Sequence, residues 1–472
     1  MAKEKTKSGK KEPFSTPRGM RDLFDHDFYK FQGFFEKAAE VAVYYGFKPI
    51  ETPILEHEGV FTSGIGEGTD VIDKEMYTLR TKGGDHLAIR PEGTASVVRA
   101  YIENGMNSWP QPVMLYYYGP FLRHEKPQRG RFRQFYQFGI EMLGSPKSIA
   151  DAIVMRTLLL ILDEAGFKNT ILMVNSIGDK ECRPGYTKDL ISYYRKHINE
   201  ICADCRERMK KNPLRVLDCK DPKCIPIKQG APQSMSSLCG PCRDHFKEVL
   251  EYLEAMSISY RINHHLVRGF DYYTRTVFEI IDSEDEKPIE DSREDTNKVV
   301  GVDNVPASNG VEAPRENNEK KKDVQGPEPL ALASGGRYDY LAKNLASKKD
   351  VAGVGGSIGV DRVIMSPKHK PLEPRIIKKP KVYFIQFGFE AKLKSLSIIE
   401  ILRKARIPIM QSLSKDSLGA QLSVAERLKI PYTVIFGQKE ALEGTVIVRD
   451  MNTRSQDTIK IEELPEYIKK MK

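Results

Sequence analysis

The segment 118–141 constrains the fold more than any other stretch of the chain. Two strand-like runs, 113–118 and 135–140, flank a loop in which Lys126, Arg129, Arg131 and Arg133 gather around Pro127 and Gly130. Pro and Gly interrupt regular structure, so the spacing predicts strand, basic loop, strand. Guanidinium groups offer planar forks that suit phosphate oxygens. Side chains alternate along a strand, so Phe135, Gln137 and Glu141 share one face. A ring, an amide and a carboxylate on one face suit the wall of a small-molecule pocket. On spacing alone, a solvated basic hairpin loop is the equal alternative.

The surrounding pattern favours a sheet. Phe31, Phe34, Phe35, Ala38, Val41 and Val43 recur at helical spacing over 28–46, and Gly46 stops the helix. A short strand is predicted at 87–90 and a helix at 151–165, without regular strand–helix alternation. That predicts an α+β domain, an antiparallel sheet flanked by helices. The chain has 472 residues, more than the roughly 250–300 that one core holds, so two or three domains are expected.

Composition divides the rest. Residues 1–12 read as a disordered Lys-rich tail. The sheet domain occupies 13–179 and 259–366, and a helical, Cys-rich insertion domain occupies 180–258. The segment 283–329 holds 13 Asp/Glu, 7 Lys/Arg and no aromatic residue. It predicts a disordered acidic insertion that lengthens a hairpin between strands at 276–281 and 330–333. Four prolines in 367–380 mark a linker. Beyond it, 381–472 predicts a compact C-terminal α/β domain, with strands at 381–387, 408–411, 432–436 and 445–449. Its helices are expected at 391–405, at 417–428 and from near Glu462 onward.

The chain carries 74 Lys/Arg against 65 Asp/Glu, a net +9. Without the acidic insertion the balance is 67 against 52, so that segment hides part of the basic charge. A basic excess suits a polyanionic partner. The absence of a run of 18 apolar residues argues against a membrane span. The N-terminus lacks the apolar core of a secretory signal. A cytoplasmic protein is expected.

Six of the seven cysteines fall between Cys202 and Cys242. In a cytosolic chain such clustering points to metal before disulfides. Cys202-x-x-Cys205 and Cys239-x-x-Cys242 are paired knuckles that suit a structural, tetrahedral Zn²⁺, with Cys219 and Cys224 between them as further candidate ligands. Reduced, unliganded thiols are the alternative. Cys182 stands apart and is expected as a small buried apolar residue.

The run 352–362 is a Gly-rich strand entering a helix that carries Arg362. It does not match the dinucleotide fingerprint, because Ile358 stands where the third Gly is needed, and it lacks the Gly-Lys-Ser/Thr of a P-loop. Its glycines are read as close packing of sheet against helix.

At these residues the chain resembles a family. The 118–141 hairpin resembles motif 2 of class II aminoacyl-tRNA synthetases, and Gly353 to Arg362 resembles motif 3. Phe47 to Pro53 resembles motif 1, a dimer-interface strand. Leu266-Val-Arg268-Gly-Phe-Asp271-Tyr272-Tyr273 and Ser334-Gly-Gly-Arg337-Tyr338-Asp339 are similar to signatures of the histidyl-tRNA synthetases, and Arg90-Pro-Glu92-Gly-Thr94 to their substrate-binding turn. The resemblance runs from Pro17 to Lys472. It implies a class II synthetase-like catalytic domain and a C-terminal anticodon-binding-like domain.

The resemblance also implies an activity: L-histidine joined to ATP as the adenylate, then passed to the 3′ end of tRNA(His), with ATP and Mg²⁺ required. Arg123 and Arg268 are implied as the cations that stabilise the reacting α-phosphate. Arg123, Glu125, Arg131, Phe135 and Arg362 are implied for ATP. Phe135 and Arg362 sandwich adenine, Arg131 meets the γ-phosphate, and Glu125 lies on the adenine side. Glu92, Thr94 and Gln137 are implied for the α-ammonium, and Glu141, Tyr272 and Tyr273 for the imidazole, with Arg123 and Arg268 beside them. Lys126, Gln128 and Arg129 are implied at the acceptor end. Motif 3 has Asp361 where many members have Glu; the shorter carboxylate is expected still to orient Arg362. A homodimer is implied by motif 1. The C-terminal 380–472, with 16 Lys/Arg against 11 Asp/Glu, is consistent with RNA.

Two other readings stay open on sequence: a non-catalytic histidine-binding regulatory paralogue, and a class II synthetase for another amino acid. The retained Arg123, Arg131, Arg268 and Arg362 and the C-terminal domain weigh against the first. The 266–273 run weighs against the second.

Overall fold

The computed structural model describes residues 14–66, 68–128, 130–283, 331–375, 380–411 and 417–471. The expected N-terminal tail, all of the acidic insertion but Ser283, and Arg129 lie outside the described residues. The chain divides into two compact units, Met1–Pro374 and Arg375–Lys472.

The first unit is built on an eight-stranded sheet. Its order is β1 (Lys48–Pro49), β5 (Val113–Leu122), β6 (Gln134–Leu143), β11 (Gly353–Gly359), β10 (Ala333–Arg337), β9 (Thr274–Asp282), β7 (Thr170–Ser176) and β8 (Tyr260–Ile262). Only the edge strands β1 and β8 pair in parallel with their neighbours; the rest of the sheet is antiparallel. A smaller antiparallel sheet holds β2 (Leu55–His57), β4 (His86–Ile89) and β3 (Tyr77–Arg80).

Strand alternation separates two cores. Tyr116, Phe138, Ile140, Met142, Phe278 and Ile280 face one side, where helices Asp25–Tyr44, Ser148–Glu164 and Gly240–Ala255 cover them with Phe34, Leu158, Leu162, Phe246 and Val249. Leu115, Tyr117 and Val277 face the other, packing with helix Thr94–Glu103 and with Tyr272 and Tyr273. Each core side chain buried there contributes roughly 1.5–3 kcal/mol. The helical stretch 183–255 does not stand apart. Tyr186, Leu190 and Tyr194 of helix Arg183–Lys196 join the second core, and Phe246, Val249 and Leu253 join the first.

The second unit carries a five-stranded sheet, order β13 (Ile409–Gln411), β12 (Val382–Gln386), β14 (Tyr432–Phe436), β15 (Thr445–Asp450), β16 (Gln456–Lys460). The first three run parallel, β15 pairs antiparallel with β14, and β16 pairs antiparallel with β15. β12 is apolar on both faces, with Val382 and Phe384 in one core and Tyr383 and Ile385 in the other, as a strand covered by helices on both sides requires.

Candidate active site

The second face of the large sheet is polar at its centre. Phe135, Gln137 and Glu141 project there from β6 by alternation. Register places Gly355 of β11 opposite Glu141, and Ser334 of β10 opposite Glu279 of β9. Gly355 has a specific cause: a Cβ there would lie 1.6 Å from Glu141 Oε2. The Gly-rich strand therefore makes room for a buried carboxyl as well as packing against helix Ser148–Glu164, where Gly356 meets Leu158.

Glu141 is fully buried. Its Oε1 accepts from Thr94 Oγ1 at 2.7 Å and Tyr117 OH at 3.2 Å, and its Oε2 accepts from Tyr338 OH. Burial pushes its carboxyl up to about 8, against the pull of those donors. Tyr117 fits because Gly93 and Gly139 carry no Cβ; at either site one would lie about 2.3 or 2.2 Å from its ring. Tyr272 and Tyr273 stack obliquely, with centroids 4.6 Å apart, and Tyr272 meets Tyr338 edge-on at 5.9 Å. The result is a polar pocket lined by hydroxyls around one carboxyl, suited to a flat ligand with a nitrogen donor.

Glu92 is buried and accepts from the Thr94 and Ala95 backbone N–H groups at 2.6 and 2.8 Å. It thus closes the N-terminus of helix Thr94–Glu103, where unpaired N–H groups favour an anion. Burial raises its carboxyl, with those bonds and Arg123 opposing. Both oxygens are engaged at the helix end, so any contact with an α-ammonium uses their remaining lone pairs.

Next to this pocket lies a cluster of guanidinium groups. Arg123 donates from Nε to the Pro91 carbonyl at 2.8 Å and stands over the rings of Phe135 and Phe270, at 5.3 and 5.5 Å. Glu125 bridges Arg123 and Arg131, at 3.7 and 3.5 Å. Arg362 donates to the Ala331 carbonyl at 2.6 Å. Burial, then the charges of Arg131 and Arg123, bring its guanidinium down to about 10. Mutually repelling cations held in place are a site preorganised for a polyanion. Arg268 pairs with Glu279 and donates from Nη2 to Ser334 Oγ at 2.6 Å. Burial works against its charge, and Glu279 and Tyr273 hold it charged. It stands 6.0 Å from the Tyr273 ring, which stacks with Phe270, so the two arginines flank one aromatic pair.

Glu279, Ser334, Tyr117 and Tyr338 were not among the residues assigned roles from sequence. Lys126 and Gln128 are exposed on the loop, where Gln128 and Arg131 exchange backbone hydrogen bonds of 3.1 and 2.9 Å. Asp361 corrects an expectation. It accepts from Arg21 and from the Tyr136 N–H at 2.6 Å, and does not orient Arg362. Adjacent helical residues point apart, so the pair cannot face one another.

The cysteines correct another. Cys202, Cys205, Cys239 and Cys242 do not form one set. Cys202 and Cys205 meet Cys219 and Cys224, whereas Cys239 and Cys242 meet Asp179 and Cys182. The first pair opens helix Ala203–Lys211 in one core, and the second opens helix Gly240–Ala255 on the other. Cys182 accordingly lies in a polar cluster, not in apolar packing.

Known proteins share this architecture. Residues 19–178 match the family model "Histidyl-tRNA synthetase", and residues 381–471 match the model "Anticodon binding domain". The histidine–tRNA ligase of Desulforamulus reducens is 35% identical over 453 residues, covering 96% of this chain and 98% of the relative. That of Thermodesulfovibrio yellowstonii is 37% identical over 458 residues, covering 97% and 98%. The crystal structure of apo S. aureus histidyl-tRNA synthetase superimposes with a TM-score of 0.73 at 27% identity, covering 97% of this chain and all of that one. Similarity that runs nearly end to end, in relatives carrying one name, means that the chain belongs to the histidyl-tRNA synthetase family.

Proposed function

We infer that this chain is a histidine–tRNA ligase. It activates L-histidine with ATP and passes it to the 3′ end of tRNA(His). The observation that carries the reading is the juxtaposition on one sheet face: a carboxyl-centred polar pocket beside four arginines that share two carboxylates.

The chemistry follows from that arrangement. A histidine carboxylate oxygen attacks the α-phosphorus of ATP, a P–O bond forms, and pyrophosphate leaves. Negative charge grows on the non-bridging oxygens, and fixed cations there lower the barrier without reorganising. Arg123 and Arg268 take that role. Phe135 and Arg362 hold adenine, Arg131 holds the γ-phosphate, and Glu125 keeps Arg123 and Arg131 apart and oriented. Glu141 and the tyrosines read the imidazole. Gln137, Thr94 and Glu92 meet the α-ammonium. A competitor without ring nitrogens leaves Glu141 and its hydroxyls unpaired, which a buried polar site penalises strongly. Bound Mg²⁺ would offset the charge of the triphosphate. Glu125 and Glu279, whose charges act on Arg362, would be the chain's own candidates to hold that ion, each already sharing its carboxylate with an arginine.

In the second step the terminal ribose hydroxyl of tRNA attacks the adenylate carbonyl and AMP leaves. Lys126, Gln128 and Arg129 are the proposed acceptor-end contacts, and the C-terminal unit is the proposed anticodon reader. A homodimer is supported by exposed Tyr44, Ile54, Leu55 and Tyr118 around the edge strand β1, since clustered exposed apolar residues mark interfaces. None of the described helices is long and apolar enough to cross a membrane. A cytoplasmic location is supported by seven cysteines that pair in no disulfide.

The test is ATP–pyrophosphate exchange. Exchange should depend on histidine and on no other standard amino acid. Exchange with a different amino acid would assign another specificity, and none at all would favour a regulatory role.

A further inference from the structure

The helical stretch contains two side-chain clusters outside the active site, each with four ligand-bearing residues whose donor atoms lie within 4.8 Å of one another. In the first, Cys202 Sγ lies 3.8 Å from Cys219 Sγ, and Cys224 Sγ lies 3.8 Å from Cys205 Sγ. A disulfide needs sulfurs about 2.05 Å apart. Four sulfurs at about 2.3 Å from one tetrahedral ion have edges of about 3.8 Å. The surrounding backbone is arranged for thiolates: Cys205 N–H donates to Cys202 Sγ at 3.4 Å, Asp221 N–H to Cys219 Sγ at 3.5 Å, and Cys202 N–H to Cys224 Sγ at 3.2 Å.

The second cluster mixes one oxygen with three sulfurs. Asp179 Oδ1 lies 3.7 Å from Cys182 Sγ and 4.0 Å from Cys239 Sγ, and Cys242 is within the same group. A tetrahedral centre with one Zn–O and one Zn–S bond has an edge of about 3.6 Å. The other carboxylate oxygen, Oδ2, accepts from Arg275 Nη2 at 3.3 Å, an outer partner that fixes which oxygen faces the sulfurs. Gly178 is required beside it. Its φ is +68°, and a Cβ would lie 2.5 Å from Cys182 Sγ.

We propose that the chain binds two structural Zn²⁺ ions, one at Cys202, Cys205, Cys219 and Cys224 and a second at Asp179, Cys182, Cys239 and Cys242. The two have different positions in the fold. The second joins residues before helix Arg183–Lys196 to residues at the start of helix Gly240–Ala255, so it closes the neck of the helical stretch. The first lies wholly inside that stretch and folds its middle. Each ion displaces the thiol protons of its cysteines on binding.

Metal analysis of the purified full-length chain, after dialysis against metal-free buffer, should give about two Zn²⁺ per chain. Cys205→Ser and Cys242→Ser should each lower this to about one, and the double variant to none. If either variant fails to fold, the unaltered apo chain titrated with Co²⁺ should develop thiolate-to-cobalt absorption that saturates at two equivalents. Saturation at one equivalent, loss of both ions in either single variant, or zinc-free protein with fewer than seven titratable thiols would overturn the proposal. The last result would mean disulfides instead.

Discussion

Arg337 and Arg268 serve one sheet, and their surroundings differ in a single respect. Arg337 is fully buried, and all five of its N–H donors are used. Nε meets Asp151 at 3.1 and 3.2 Å. Nη1 donates to the Ser145 carbonyl and to Asp339, and Nη2 to the Lys147 carbonyl and to Asp151. Arg268 has Glu279 and Ser334, yet its Nε is buried without a partner, and so is that of Arg131. Burial, with the like charges of Arg131 and Arg123, brings Arg362 down to about 10. A saturated guanidinium holds architecture together, whereas Arg123, Arg131, Arg268 and Arg362 together face the two carboxylates Glu125 and Glu279 and keep charge for a ligand. The contrast lies in how the anions are shared and not in a lone Nε, which Arg183, Arg215 and Arg275 outside the site also bury without a partner.

Replacing Arg337 by Met probes the saturated side, where the largest effect is expected. Removing one partner strands Asp151 in the core, a loss of about 3–5 kcal/mol in denaturant unfolding. Histidine-dependent exchange per folded molecule should hardly change; a fall in that rate as deep as at Arg268 would erase the distinction.

Arg268→Ala probes the open side. Exchange should drop about 10²–10³-fold, or about 2.7–4 kcal/mol of transition-state stabilisation. The unfolding free energy should move by only about 1 kcal/mol, as for a partly exposed ion pair. Retained exchange would remove Arg268 from the chemistry.

The two buried carboxyls sharpen the contrast through pH. Burial acts to raise Asp151, but the charge of Arg337, with help from His245, holds it at about 2. Its stabilisation is complete above its usual value of 3.8 and is lost as pH falls through about 2. Glu141 has the opposite sign. At about 8 it binds a proton more tightly in the folded chain than unfolded, so its contribution is full below 4.5 and fades as pH rises through about 8. Melting curves from pH 5 to 8.5 should flatten in Glu141→Gln. An unchanged slope would mean that Glu141 does not titrate there.

Much of this was legible in the sequence. Strand alternation alone placed Phe135, Gln137 and Glu141 together, and most elements of the C-terminal unit follow their apolar spacing, although helix Gln438–Glu443 and β16, with Ile459 as its one apolar residue, were not expected. Glu279 left a readable signal that went unused: a lone carboxylate inside Val277-Phe-Glu-Ile-Ile281 is costly unless it meets a cation. Helix Thr94–Glu103 went unread although it is amphipathic, and its burial extends to polar Thr94 and Ser96 as well as Val97, Val98, Ala100 and Tyr101. Ser334, Arg337 and Tyr338 occupy one short signature yet serve three different partners, Arg268, Asp151 and Glu141. Local spacing cannot say which. The cysteine pairing was illegible for a related reason: two Cys-x-x-Cys turns look alike in sequence, and only the packing of their helices in separate cores divides them.

Gly355 carries a consequence for anyone redesigning specificity. The carboxyl of Glu141 occupies the volume in which any larger residue at 355 would place its first side-chain carbon. The two positions, 214 residues apart in the chain, are therefore epistatic. Shortening position 141 does not by itself admit a side chain at 355, because the Ile140 carbonyl oxygen also lies 2.7 Å from where its Cβ would stand. A pocket for another amino acid is thus reached in this scaffold through position 141, while 355 stays closed by the neighbouring strand's backbone.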